Sequence, residues 1–165
     1  MTTPQHEAIP PASEWELVTD SVMGGVSQGA LTRSVGNDIA VARLTGDVSL
    51  DNNGGFLQMA TDINRAAVTG QDLRGIEVGV RGNDEEYEIR LRTDRLTRPW
   101  QSFRTTFTAT PEWQTLRIGF DAFEPHKTDA PFHPAEIRRI GILAVGRAFH
   151  ADIAVRAVRF FGPES

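Results

Sequence analysis

The stretch GIEVGVRGNDEEYEIRLRT, residues 75–93, carries the pattern on which the fold depends. Apolar residues stand at every second position in each half of it: Ile76, Val78 and Val80, then Tyr87, Ile89 and Leu91. The positions between them hold Glu77, Gly79 and Arg81, then Glu88, Arg90 and Arg92. Because successive side chains of a strand point to opposite faces, this alternation predicts two strands with one buried and one polar face.

The same alternation returns along most of the chain, in IAVARLTG (39–46), FRTTFT (103–108), LRIGF (116–120), IRRIGIL (137–143) and DIAVRAVRFF (152–161). In the last stretch the apolar phase slips between Ala157 and Val158, as a β-bulge would make it. Convincing helical stripes are missing, and Pro134 opens at most one short helical turn. Many short strands with Gly, Asn and Asp turns predict an all-β, antiparallel sandwich or barrel.

Composition excludes several classes of protein. The chain has 165 residues, a net charge of −5 and no cysteine, so disulfides and thiolate sites are excluded and nucleic acid is an unfavourable partner. The N-terminus has no basic start or apolar core of a signal peptide, and no stretch approaches the ~20 apolar residues of a membrane helix. We expect a cytoplasmic protein with a flexible leader at 1–13 and a single domain at 14–162.

Two glycine-rich blocks interrupt the strands. Gly25 to Gly29, GVSQG, matches the G-x-S-x-G nucleophile elbow, which would make Ser27 the nucleophile of a small esterase with His126, His133 or His150 downstream. An elbow needs a helix directly after it, however, and ALTRSVGNDIAV follows without a helical stripe. In the second block, GDVSLDNNGGFLQMA (46–60), Asn53 and Gly54 form a strong hairpin-turn signal.

With these blocks in view the sequence resembles the complex I intermediate-associated protein 30 family. The resemblance rests on TDSVMGGVSQG (19–29) and LTGDVSLDNNGGF (44–56), and it extends over about residues 15 to 161. It implies a jelly-roll sandwich similar to galactose-binding domains and a non-enzymatic role. Mitochondrial members assist assembly of the membrane arm of NADH:ubiquinone oxidoreductase, and this chain looks like a stand-alone, bacterial-type version.

Three sets of residues are candidates for a site. The glycine blocks supply partner- or ligand-binding candidates, which a purely structural turn would also explain: Asp20, Met23, Gly24, Gly25, Ser27, Asn52, Asn53, Gly54 and Gly55. A face rich in arginine supplies Arg90, Arg92 and Trp100, with Arg104 and Arg117 on the same face and Glu86 and Glu88 as balancing charges. The segment around His126, Asp129 and His133 carries metal-ligand types without fixed geometry.

The resemblance implies a binding module with a protein partner, such as an assembly intermediate of a respiratory complex. The alternative is a carbohydrate-binding module that uses the concave sheet face. We predict no catalytic residue, no cofactor and no metal ligand, and the esterase built on Ser27 is the least favoured reading.

Overall fold

The computed structural model describes residues 15–20, 25, 27–36, 39–51, 55–64, 68–70 and 72–163. Its strands are β1 (Glu16–Thr19), β2 (Gln28–Gly36), β3 (Ile39–Val48), β4 (Phe56–Asp62), β5 (Gly75–Arg81), β6 (Glu85–Thr93), β7 (Ser102–Ala109), β8 (Gln114–Gly119), β9 (Glu124–His126), β10 (Ile137–Val145) and β11 (Phe149–Phe161). Single 3-10 turns lie at Phe120–Ala122 and Pro134–Glu136. The predicted all-β class is confirmed, and Pro134 opens the short turn expected there.

The strands form two antiparallel sheets of a jelly-roll sandwich. The six-stranded sheet has the order β1-β4-β10-β6-β7-β9, and the five-stranded sheet has the order β2-β3-β11-β5-β8. Every one of these strands except β2 therefore has at least one neighbour that does not adjoin it in strand order. Because strands pair with partners far away in the chain, sequence order does not show which residues of the glycine blocks and of the arginine-rich strands lie close together.

The core lies between the sheets and is filled by the alternating apolar residues. Val78 and Val80 on β5 and Ile89 and Leu91 on β6 are fully buried, whereas their polar neighbours face outward. This is the arrangement that the period of two requires.

The bulge predicted in β11 is confirmed. The pairing of β11 with β5 shifts register between Arg156 and Arg159, and Ala157 takes a φ of 52°. The extra residue restores the inward phase, so Val158 and Phe160 rejoin the core.

The two halves of residues 75–93 belong to opposite sheets. The chain turns between them through Asn83 and Asp84, and Asp84 has a φ of 65°. The Tyr87 hydroxyl fastens this corner: it donates to Asn83 Oδ1 at 2.6 Å and accepts the Asp152 N–H at 2.9 Å. Within the described ranges there is no helix long and apolar enough to cross a membrane.

Candidate functional site

The two glycine blocks meet at one buried carboxylate, that of Asp20. Asp20 has no exposed surface, and its Oδ1 accepts the Ser27 N–H at 3.1 Å. Its Oδ2 accepts the Ser27 hydroxyl at 2.5 Å and the Gly55 N–H at 2.7 Å, with the Phe56 N–H at 3.3 Å. One side chain thus joins the segment before β2 to the segment before β4.

Hydrogen bonds keep this buried carboxylate ionised. Burial by itself raises the pKa of Asp20, but the donors from Ser27, Gly55 and Phe56 outweigh it and lower the pKa below its ordinary value. The Ser27 hydroxyl also accepts the Ser49 N–H at 2.8 Å, so it ties the second block to the first from its own side.

The glycines of these blocks have different reasons to be glycine. Gly55 has a φ of 134°, in the region that side chains disfavour. Gly25 is not in that region, so its backbone conformation does not require glycine. A Cβ at position 25 would instead lie 2.7 Å from Asp20 Oδ1, so Gly25 leaves room for the carboxylate.

The surroundings of Ser27 do not form a nucleophile elbow. The strand β2 begins at Gln28, where an elbow requires a helix, and Ser27 is only 6% exposed. Among the described residues, its hydroxyl contacts Asp20 and Ser49 and no imidazole. Its hydrogen bonds are those of a residue that stabilises a turn.

The remaining candidates of the glycine blocks cannot be placed. Met23, Gly24, Asn52, Asn53 and Gly54 lie outside the described residues. Of the candidates that can be placed, Asp20, Gly25, Ser27 and Gly55 are all buried, so their surfaces are not open to a partner.

The arginine-rich face is the outer face of the six-stranded sheet. Arg90 pairs across the strands with Gly141 on one side and Arg104 on the other. The Glu88 carboxylate accepts a hydrogen bond from Arg90 at 2.8 Å and lies 3.6 Å from the Arg104 guanidinium. Glu88 therefore balances part of the positive charge of these two arginines. Arg117 is on β8 in the five-stranded sheet, where it pairs with Glu77, so its placement with Arg90 was wrong.

A small pocket of about 50 Å³ opens on this face, and we call it the outer-sheet groove. It is lined by Gln58, Arg90, Arg92, Trp100, Ser102 and Gly141, together with neighbouring residues. Trp100 stands at its rim with 54% of its surface exposed. The groove therefore combines an exposed indole with half-buried hydrogen-bonding groups.

Arg92 holds the loop that carries Trp100. Its guanidinium donates to the carbonyl oxygens of Gln101 at 3.2 Å and Arg98 at 2.9 Å. Burial lowers the pKa of Arg92, and the nearby charges of Arg139 and Arg138 lower it further. The Gln101 side chain accepts the N–H groups of Thr97 and Arg98, each at 3.1 Å, so the loop is fixed from both sides.

Gln58, Ser102 and Gly141 are among the groove residues that sequence reasoning missed. Gln58 and Gly141 come from β4 and β10, and a Cβ on Gly141 would collide with the Gln58 side chain, whose amide crosses that position. Ser102 is 3% exposed, and its hydroxyl has no hydrogen-bond partner within the described part of the chain. The one sequence signal for Ser102 is its position next to the core residue Phe103 at the start of β7. Neighbouring residues of a strand point to opposite faces, so Ser102 is placed on the outer face.

The third candidate set does not converge. Over the residues that the structure describes, no three histidine, aspartate or glutamate side chains form a group able to hold a metal ion. His126 instead belongs to β9, opposite Ser102. Burial lowers its pKa, and the positive charges of Arg104 and Arg90 add to the effect.

A comparison with models of known protein families gives one match that covers most of the chain. The family model of complex I intermediate-associated protein 30 matches residues 4–153. The chain belongs to the complex I intermediate-associated protein 30 family. No curated protein matches it significantly in sequence.

Solved structures similar to this member of the family include carbohydrate-binding modules. The family 11 module from Clostridium thermocellum, in complex with a β-1,3-1,4-mixed-linked tetrasaccharide, superposes with a TM-score of 0.70 at 11% identity, covering 90% of this chain and 89% of that one. The family 30 module of a Clostridium thermocellum cellulosomal cellulase gives 0.57 at 14% identity, covering 86% and 92%. At these identities the likeness shows the jelly-roll fold alone.

Proposed function

We propose that this protein is a non-catalytic binding module that receives its ligand in the outer-sheet groove. The observation that carries the proposal is the exposed Trp100, held by Arg92 beside the unpartnered, buried hydroxyl of Ser102. A buried hydroxyl without a partner costs about 1–3 kcal/mol, which a ligand group that bonds it would recover. An exposed aromatic side chain on a fixed loop supplies contact area at small entropic cost.

The ligand that membership of the family favours is a protein, an assembly intermediate of a respiratory complex. Arg90 lines the groove, and its ion-pair partner Glu88, which also lies 3.6 Å from Arg104, adds the opposite charge beside it, so this face can pair with polar side chains of such a partner. Aromatic and arginine side chains are also the residues enriched at the energetic centres of protein interfaces.

Site-specific photo-crosslinking in the native cell tests the protein ligand. The change Trp100→p-benzoylphenylalanine places the probe at the groove, and the same change at exposed Thr69 places it elsewhere. We expect subunits of NADH:ubiquinone oxidoreductase to be crosslinked from position 100 and not from position 69. Identical products from both positions would contradict the proposal.

A carbohydrate is the second candidate ligand. It is favoured because an exposed indole lines the same pocket as Gln58, Arg90 and Ser102, and sugars offer an apolar ring face and hydroxyl groups together. The similar family 11 module was solved with a mixed-linked tetrasaccharide, which makes that glucan the natural first probe.

Affinity electrophoresis in mixed-linkage β-glucan tests this candidate. Retardation of the wild-type protein that is lost in Trp100→Ala would support it. The matched control is Trp113→Phe, a change on the opposite sheet, which should leave the retardation intact. Equal mobility with and without the glucan would remove the carbohydrate reading.

A further inference from the structure

The outer face of the five-stranded sheet carries a second cluster, in which two arginines share one indole. The guanidinium carbon of Arg156 lies 4.2 Å from the Trp113 ring centroid, and that of Arg81 lies 5.3 Å from it. Arg156 is on β11, Arg81 ends β5 and Trp113 precedes β8, so three neighbouring strands meet here.

A glycine on the neighbouring strand makes room for this cluster. Arg156 pairs across the sheet with Gly79, and a Cβ at position 79 would lie 2.8 Å from Arg156 Cγ. Because Gly79 has no side chain, the stem of Arg156 crosses β5 and reaches Trp113. Stacking on an indole face fixes the plane of a guanidinium and leaves its N–H edge directed away from the ring.

Neither arginine of this cluster is neutralised inside the described part of the chain, where no ion pair or hydrogen bond to a carboxylate joins Arg81 or Arg156. Two other arginines of this face are paired: Arg43 binds Asp152 through two bonds of 2.8 and 2.7 Å, and Arg117 binds Glu77. The Arg43 hydrogen bonds lower the pKa of Asp152, and Arg81 adds only a smaller electrostatic contribution.

We propose that the Arg81–Trp113–Arg156 cluster docks an acidic segment of a partner protein. Two fixed guanidiniums without carboxylates are complementary to a pair of carboxylates, which such forks bind in bidentate fashion. The positive cluster stands on a protein whose net charge is −5, so a generally basic composition does not account for it. Thr115, which pairs with Gly79 beside Arg156, is exposed, and this open sheet face suits an extended segment.

This site lies on the opposite sheet from the outer-sheet groove and does not depend on it. The probe is a fluorescein-labelled hexaglutamate peptide, followed by fluorescence anisotropy at low salt, where ion pairing is least screened. The double variant Arg81→Gln/Arg156→Gln should bind the peptide at least about tenfold more weakly than wild type. The variant Arg156→Lys keeps the charge and loses the planar fork, so it should show a smaller weakening.

The matched control removes the same charge elsewhere, at two exposed arginines with local partners, as Arg74→Gln/Arg95→Gln. We expect the peptide affinity of this control to stay within about twofold of wild type. The peptide affinity of Trp100→Ala should also stay within about twofold, which separates this test from that of the outer-sheet groove. Circular dichroism verifies that each variant folds. Equal weakening in the control, no binding by wild type, or full displacement of the peptide by equimolar inorganic phosphate would overturn the proposal.

Discussion

Asp20 shows how one residue joins two segments of the chain. Its carboxylate is buried and is held by hydrogen bonds from Ser27, Gly55 and Phe56. The two segments are separated by the whole of β2 and β3, so their positions depend on a group whose donors are mostly backbone. A change that removes an acceptor leaves N–H groups buried without partners.

Asp20→Asn is expected to lower the free energy of unfolding by about 2–4 kcal/mol at neutral pH, because an amide nitrogen then faces backbone donors. Urea denaturation measures this loss. Asp72→Asn, the same charge change at an exposed position, should cost less than about 0.5 kcal/mol.

The effect of Asp20 should also depend on pH. Its pKa is lowered by folding, so its stabilisation is complete above the unfolded value near pH 4 and is lost as pH falls through the lower folded value. The difference between wild type and Asp20→Asn should therefore narrow below about pH 4. A constant difference down to acid unfolding would contradict this account.

Gly25→Ala tests the space that Asp20 occupies. The added methyl would overlap the carboxylate, so we expect a loss of about 1–3 kcal/mol in thermal or urea unfolding. In an Asp20→Ala background most of that loss should disappear, because the colliding group is gone. Gly70→Ala is the comparison: that glycine has a φ of 74° and open space, so strain there should not respond to Asp20.

Tyr87 offers a direct optical measurement, because it is the single tyrosine of the chain. Burial raises its pKa to about 12. Its contribution to stability is complete below the unfolded value near pH 10 and is lost as pH rises through the folded value. Phenolate absorbance should appear near pH 12 in the native protein and near pH 10 in urea, and native ionisation at about pH 10 would refute this.

Among the elements, β11 depends on its bulge. The strand pairs with β3 along its first part and with β5 on both sides of the bulge, and Ala157 absorbs the extra residue in a left-handed conformation. An alanine in that conformation costs about 1–2 kcal/mol relative to the right-handed regions. The bulge is retained because it returns Val158 and Phe160 to the core.

Ala157→Gly should consequently raise the free energy of unfolding by up to about 1 kcal/mol, since glycine accepts this φ without strain. Ala154→Gly in the same strand should do the opposite and lower stability by about 1 kcal/mol, because its position is buried and extended. Chemical denaturation of the pair decides this. Destabilisation of equal size by both changes would show that the strain at Ala157 is not significant.

For the whole molecule, the sandwich separates two polar faces by one apolar core. The outer-sheet groove belongs to the six-stranded sheet, and the Arg81–Trp113–Arg156 cluster belongs to the five-stranded sheet. Residues that share no partner across such a core are expected to act independently. We therefore expect the two proposed sites to bind their ligands independently.

Combining Trp100→Ala with Arg81→Gln/Arg156→Gln should therefore change the free energy of unfolding by the sum of the separate changes, within about 0.5 kcal/mol. Denaturant titration of the three proteins and wild type measures the coupling. A coupling above about 1 kcal/mol would show that the two faces communicate through the core.

Sequence periodicity by itself determined that the chain is all-β and that β11 slips phase at Ala157. It also determined which residues face inward: Ile76, Val78 and Val80 on β5, and Tyr87, Ile89 and Leu91 on β6. These properties follow from neighbours two residues apart, which a strand always separates to opposite faces. Only the tertiary structure decided that Arg117 lies on the opposite sheet from Arg90, that Ser102 and Gly141 share a groove, and that Asp20 joins both glycine blocks. Those relations depend on which strands pair and on contacts between residues far apart in the chain, and local alternation is the same whichever sheet a strand enters.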